Sequence, residues 1–143
     1  MVEDSHHPIT VDDAGGGGLQ IMVGAGGARF VADQPVTAGG LGLGPTPHDL
    51  VSAALAACMT QTLRLYARHK AWPLGAVHIE VQSSKDLSAS PPEAFHADIT
   101  LLGPLSPEQT TSLLEIANRC PIHRLLEVGA RVSADLAPRP RGP

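Results

Sequence analysis

From Pro47 to Lys70 the positions Val51, Ala54, Leu55, Cys58, Thr62 and Leu65 recur at helical spacing. The opposite side, with Ser52, Ala53, Ala56 and Ala57, stays uncharged as far as Leu63. This predicts one long helix, apolar on most sides, whose small residues allow close approach by a partner. Thr46 is its predicted N-cap and Pro47 suits the first turn. Arg64, Arg68, His69 and Lys70 place cations near its C-terminus, and Pro73 blocks continuation. Elsewhere the period changes to two. Residues 76–84 alternate Val77, Ile79 and Val81 with His78, Glu80 and Gln82, and residues 95–102 alternate likewise. Shorter runs at 19–23 and 28–33 read as strands joined through a glycine turn, and 130–136 reads as a last strand. Ser106, Pro107 and Glu108 open a second, amphipathic helix carrying Leu113, Leu114, Ile116 and Ala117.

The predicted order is therefore ββ–α–ββ–α–β, an α+β domain with a largely antiparallel sheet. Residues 1–18 are read as a flexible tail, 19–136 as one domain and 137–143 as a disordered, proline-rich tail. The stretch 34–47 is a Gly/Pro-rich loop long enough to suggest function. One five-stranded sheet covers only one side of a helix that is apolar nearly all round, which points to a homodimer.

Composition narrows the classes. The chain of 143 residues can bury a core without disulfides or metal, and with 3% aromatics that core is aliphatic. A net charge of −4 gives no broad basic field, so nucleic acid is not an expected partner. No apolar run approaches the roughly 18 residues that span a bilayer. The N-terminus lacks the basic and apolar regions of a signal peptide. A cytoplasmic protein without membrane contact is expected. His6 and His7 have no third ligand nearby and read as solvated tail, so no metal is expected. The glycines at 15–18 lack the Lys-Ser/Thr of a phosphate loop.

In that compartment the two cysteines are not expected to form a permanent structural disulfide. They are either unrelated thiols or a redox pair. On pattern alone Cys58 is a core residue of the long helix, a small hydrophobe among others. Cys120 directly precedes Pro121, where one helix has ended and another short one can begin. As N-cap of that helix its thiolate would be favoured by backbone N–H groups, with Arg119, His123 and Arg124 nearby. A half-buried loop thiol is the alternative.

Two segments carry a resemblance. GPTPHDLVSAALAACMTQTLRLYARHKAWPL resembles the central helix of the OsmC/Ohr family, the osmotically inducible and organic-hydroperoxide-resistance proteins. LSPEQTTSLLEIANRCPIHRLLE resembles that family's second cysteine segment, in which Cys-Pro follows a helix. The likeness runs from about Leu19 to Leu136. It implies an intertwined homodimer with antiparallel sheet wrapped around long central helices and the active site at the subunit interface. It implies Cys58 as the peroxidatic cysteine and Cys120 as the resolving one. It also implies organic hydroperoxides as substrates, dithiols such as lipoyl groups as reductants, and neither metal nor organic cofactor.

The family's peroxidases pair an Arg and a Glu at the reactive cysteine, the Glu ten residues before it. Here His48 stands at that position and Asp49 follows. On a regular helix His48 lies about 80° around from Cys58, and Asp49 about 180°. Either residue can instead serve the helix N-terminus. Arg29 is the only Arg before Arg64 and so the candidate cation, with an exposed strand charge as its other reading. The competing function is a small-molecule binding protein of the same fold with little turnover. A Cys–His hydrolase using His48 or His123 lacks an evident third orienting group.

Overall fold

The two longer period-two segments and the long helical segment form, within a framework that differs from the expected single sheet. The computed structural model describes residues 7–138; the calls of tail for residues 1–6 and 139–143 lie outside them. Strands β1 (Thr10–Asp13), β2 (Ile21–Ala25) and β3 (Ala28–Ala32) make an antiparallel sheet in the order β1-β2-β3. Helix α1 (Pro47–Lys70) follows, then β4 (Val77–Lys85) and β5 (Glu93–Leu101) as a separate two-stranded sheet. Helices α2 (Pro107–Ala117) and α3 (Pro121–Val128) complete the order. The chain divides into two compact units. One takes the chain up to Ala56 with Glu80–Asp98, and the other takes Ala57–Ile79 with the chain from Ile99 onward.

Two strand assignments are corrected. Thr10–Asp13, read as tail, is a strand whose residues Val11 and Asp12 face Val23 and Met22. All four of its residues are exposed, so it lacks alternation, and only its ladder to β2 makes it a strand. The Gly-rich run after it is the connecting turn, in which Gly15, Gly16 and Gly17 all take positive φ and the Asp13 carboxylate accepts the Gly15 N–H at 2.7 Å. Residues 130–136, read as a last strand, form none. Val132 is 91% and Leu136 100% exposed, and among the described residues no strand pairs with the segment.

The loop between β3 and α1 is ordered by one carboxylate. Asp33 is 2% exposed and accepts the N–H groups of Gln34, Leu41 and Leu43 and the Gln20 amide, at 2.7–3.1 Å. The loop folds as a 3-10 turn at Val36–Ala38 and returns against β3, where a Cβ on Gly44 would collide with the Val31 carbonyl. Burial raises the Asp33 pKa, but the N–H groups of Leu43, Gln34 and Leu41 and the Gln20 amide outweigh it and hold the carboxyl below its ordinary 3.8.

Helix α1 starts where the sequence says it should. Thr46 Oγ1 accepts the Asp49 N–H at 3.1 Å, and the Asp49 carboxylate accepts the Thr46 N–H at 2.9 Å, a reciprocal cap. Its burial is narrower than expected. Leu55, Met59, Leu63 and Ala67, spaced by four, form one buried stripe, while Ala53, Ala54, Ala57 and Leu65 are exposed within the single chain. At its end Arg64 donates to the carbonyls of Leu74 (2.8 Å) and Gly75, fastening the turn that leads into β4. The β4–β5 pair is antiparallel: Gly75 N–H meets the Leu102 carbonyl at one end, and Asp86 N–H meets the Pro92 carbonyl at the other. In the second unit Leu113, Ala117 and Cys120 continue the buried series from α2.

Asp33 supplies a test of the loop. A carboxyl held below its unfolded value stabilises the fold above 3.8 and loses that contribution as pH falls through its folded pKa. Asp33→Asn is therefore expected to lower the melting temperature at neutral pH and to flatten the loss of stability below pH 3.8, as read by thermal melts across acid pH.

Candidate active site

Local sequence brings the second cysteine to a defined seat. Ser106 and Gln109 cap α2 reciprocally, at 2.9 and 3.1 Å. That helix ends at Ala117, and two residues of turn lead to Cys120. Cys120 is the N-cap of α3 with Pro121 in the first turn, as the sequence predicted. Its Sγ accepts the His123 N–H at 3.3 Å, and the Ile122 N–H also bears on it. The residue is fully buried.

The first cysteine meets it there. Cys58, on α1, lies near enough to Cys120 to raise the pKa of its thiol, and both thiols are free. Cys58 is half-buried rather than a core residue, while Cys120 is inaccessible. Burial pushes the Cys120 thiol up from 9.0; the His123 N–H pulls it down, the adjacent Cys58 pushes it up, and the Ile122 N–H pulls it down, with the net direction upward. The expected thiolate-favouring donors are thus present, and burial outweighs them.

His123 is linked to the same turn. Its side chain is 21% exposed, and Nε2 pairs with the Glu127 carboxylate one helical turn on. Its Nδ1 is buried and has no hydrogen-bond partner among the described residues. Arg119 and Arg124 are exposed and line, with Asn118, Glu127 and Val128, an open depression of about 350 Å³.

The other candidates take different places. Arg29 is exposed on β3, opposite Gly24. His48 Nε2 lies 3.4 Å from Glu93 Oε1, both side chains being substantially exposed. His48 also stands about 15 Å along the helix axis from Cys58, at 1.5 Å per residue. Asp49 is engaged in the α1 cap. The structure thus brings Cys58 and Cys120 together, and gives His48 and Asp49 other partners. Glu93 and Glu127 were not singled out from sequence. The His123–Glu127 spacing of four was a usable signal, whereas nothing local pairs Glu93 with His48. Among the described residues no group of His, Cys, Asp and Glu could hold a metal ion, and no helix is long and apolar enough to cross a membrane.

The sequence pattern of the family described as OsmC-like protein matches residues 39–135. No curated protein matches the chain. Among solved structures, one from Psychrobacter arcticus, named for osmotic stress induction and a detoxification response, is 23% identical with a TM-score of 0.69. That match covers 81% of this chain and 85% of the other. An organic hydroperoxide resistance protein OsmC from Legionella pneumophila is 19% identical, with a TM-score of 0.61 over 84% of this chain and 89% of that one. The organic hydroperoxide resistance protein OhrB of Bacillus subtilis is 23% identical, with a TM-score of 0.57 over 82% and 89%. At such identities the likeness establishes the fold.

The thiol environments predict an order of modification. In the reduced, folded protein iodoacetamide is expected to label Cys58 first. Cys120 should be labelled only after unfolding or once pH rises well above 9.0, because its folded thiol holds its proton more tightly. The same shift makes a stabilising contribution that is complete below 9.0 and lost as pH rises through the folded pKa. Peptide mapping across pH checks the order, and early labelling of Cys120 would contradict it.

Proposed function

The chain belongs to the OsmC-like protein family, and from that membership we propose that it is a cysteine-based peroxidase for organic hydroperoxides. The observation that supports this most directly is the nearness of a half-buried Cys58 to a fully buried Cys120, whose pKa it raises. A hydroperoxide reaches the accessible thiol first. The Cys58 thiolate attacks the terminal oxygen, the O–O bond breaks, and the alkoxide leaves as alcohol after taking a proton; sulfur becomes sulfenic acid. Cys120 then attacks the Cys58 sulfur, an S–S bond replaces S–O, and water departs. A dithiol reductant, of the lipoyl type, attacks the disulfide and closes its own, returning both thiols. Relatives named for organic hydroperoxide resistance support this substrate class. The setting proposed is cytoplasmic.

The working form proposed is an intertwined homodimer. Two features support it: the exposed apolar face of α1, where Leu65 is 64% exposed, and the extended 130–136 segment with Val132 and Leu136 in solvent. A second copy would cover the helix face and give that segment a strand to pair with. It would also be the source of Arg29, the proposed cation for a thiol on a largely apolar helix.

A small-molecule binding protein of the same fold is the second reading. It is favoured by the engagement of Asp49 in the helix cap and of His48 with Glu93, which leaves no carboxylate assigned to orient a cation at Cys58.

In single turnover with one equivalent of cumene hydroperoxide, wild type should lose both thiols and gain an intramolecular disulfide. Cys120→Ser should stop at a sulfenic acid on Cys58 trappable with dimedone. Retention of both thiols in wild type would leave the binding reading. The assembly is tested through the same reaction. Leu65→Glu is expected to sediment as a folded monomer, and both it and Arg29→Ala should slow oxidation of Cys58 by about tenfold or more. A monomeric wild type, or an Arg29→Ala dimer that reacts at the wild-type rate, removes Arg29 from the site.

A further inference from the structure

The resolving step poses a proton problem that the two sulfurs do not solve. Cys120 is fully buried, so solvent has no direct access to its thiol proton. The oxygen that leaves Cys58 must also acquire a proton, since hydroxide is a poor leaving group in an apolar setting. Beside this pair lies His123, whose imidazole the resolving step as described does not use.

Three features define what that imidazole can do. First, Glu127 accepts from Nε2, which places the ring hydrogen there and leaves Nδ1 as the basic nitrogen. Second, Nδ1 is buried and has no hydrogen-bond partner, an unusual state for an acceptor and one that marks functional atoms. Third, the main-chain N–H of the same residue lies 3.3 Å from Cys120 Sγ, so covalent geometry keeps Nδ1 within about 8 Å of that sulfur. A carboxylate, an imidazole held in one tautomer and a thiol thus stand in sequence on the first turns of α3.

Building on the peroxidase reading, we infer that His123 is the proton shuttle of disulfide closure and that Glu127 is its positioning residue. As the Cys120 sulfur attacks, the imidazole comes within hydrogen-bond reach of it and the thiol proton passes to Nδ1. The S–S bond forms as the Cys58 S–O bond breaks, and the departing oxygen takes the proton from Nδ1 to leave as water. The ring returns to its starting tautomer, so the step consumes nothing beyond the sulfenic acid and the thiol. During reduction the sequence reverses. The dithiol attacks the Cys58 sulfur, its first thiol proton passes to the imidazole, and Nδ1–H protonates the departing Cys120 thiolate. The second thiol then resolves the mixed disulfide.

The experiment separates oxidation from closure in the full chain. Reduced protein is mixed rapidly with one equivalent of cumene hydroperoxide, and sulfenic acid and disulfide are followed by quenched-flow mass spectrometry. In His123→Ala the sulfenic acid should form at the wild-type rate, while closure slows by about tenfold or more. Added imidazole should restore closure in that variant in proportion to its concentration and leave wild type unchanged. Glu127→Gln should slow closure in wild type and have no further effect in His123→Ala, as expected of residues acting as one unit. Closure at the wild-type rate in His123→Ala, or slow closure that imidazole does not raise, overturns the shuttle. Should His123→Ala not fold, unchanged closure in Glu127→Gln overturns it. Absence of both sulfenic acid and disulfide in wild type removes the peroxidase reading itself, an outcome distinct from failure of the shuttle.

Discussion

The seat of the Cys120 sulfur governs the second unit. That one atom ends the turn after α2, accepts the His123 N–H that starts α3, and meets Cys58 from α1. An N-cap acceptor is ordinarily an oxygen at a solvated helix end, where its replacement costs about 1 kcal/mol. Here a less polar sulfur takes the role with no solvent exposure. The backbone donors help a thiolate, but burial and the neighbouring thiol act against it, and the balance favours the protonated form. Cys120 therefore keeps its proton more tightly than a free cysteine, and in the peroxidase reading it stays a thiol until something beside it becomes electrophilic. In the peroxidase reading that something is the oxidised sulfur of Cys58. The order of reaction follows from accessibility, without any need for a more acidic resolving thiol.

Helix α1 fixes the other half of the pair, and its ends are both secured by local chemistry. Thr46 and Asp49 exchange hydrogen bonds at the start, and Arg64 ties the later turns of the helix to the chain that follows it. Within it the buried stripe runs through Leu55, Met59, Leu63 and Ala67, and Cys58 lies immediately beside that stripe. A residue at the edge of a buried stripe is held rigidly yet keeps one side open. In the peroxidase reading, that placement suits a thiol that meets a substrate from outside and a partner sulfur from within.

Much of this was legible in the sequence because the signals were local. The Ser106, Pro107 and Thr46, Pro47 pairs placed two helix starts, and the Cys120–Pro121 step placed the third. What failed were features decided by a distant partner. Strand β1 has no exposed–buried alternation, since all its residues face solvent and only the β2 ladder defines it. Asp33 looked like an ordinary polar residue at a strand end; its donors come from Gln20 and from three later backbone N–H groups, which no short-range pattern reveals. The pairing of Cys58 with Cys120 was implied by family resemblance rather than by spacing, and in the structure Cys58 lies near enough to raise the Cys120 pKa.

The failure at residues 130–136 is of another kind. Its alternating pattern is real: Val132 and Leu136 are apolar with polar neighbours, yet the segment pairs with nothing and both side chains stand in solvent. Apolar side chains left this open forgo roughly 1.5–3 kcal/mol each of available burial. The same deficit recurs on α1, whose exposed face is built from alanines and Leu65. A chain that alternates for a strand without a neighbour, and lines a helix face that nothing covers, carries patterning in excess of what one copy can bury. Small residues on the helix set the distance at which another backbone can approach, and the alternation supplies a strand for an edge to accept. In the proposed dimer a second copy of the chain would meet both surpluses at once, so that reading accounts for residues 130–136 and the helix face together, where a small ligand would account for neither.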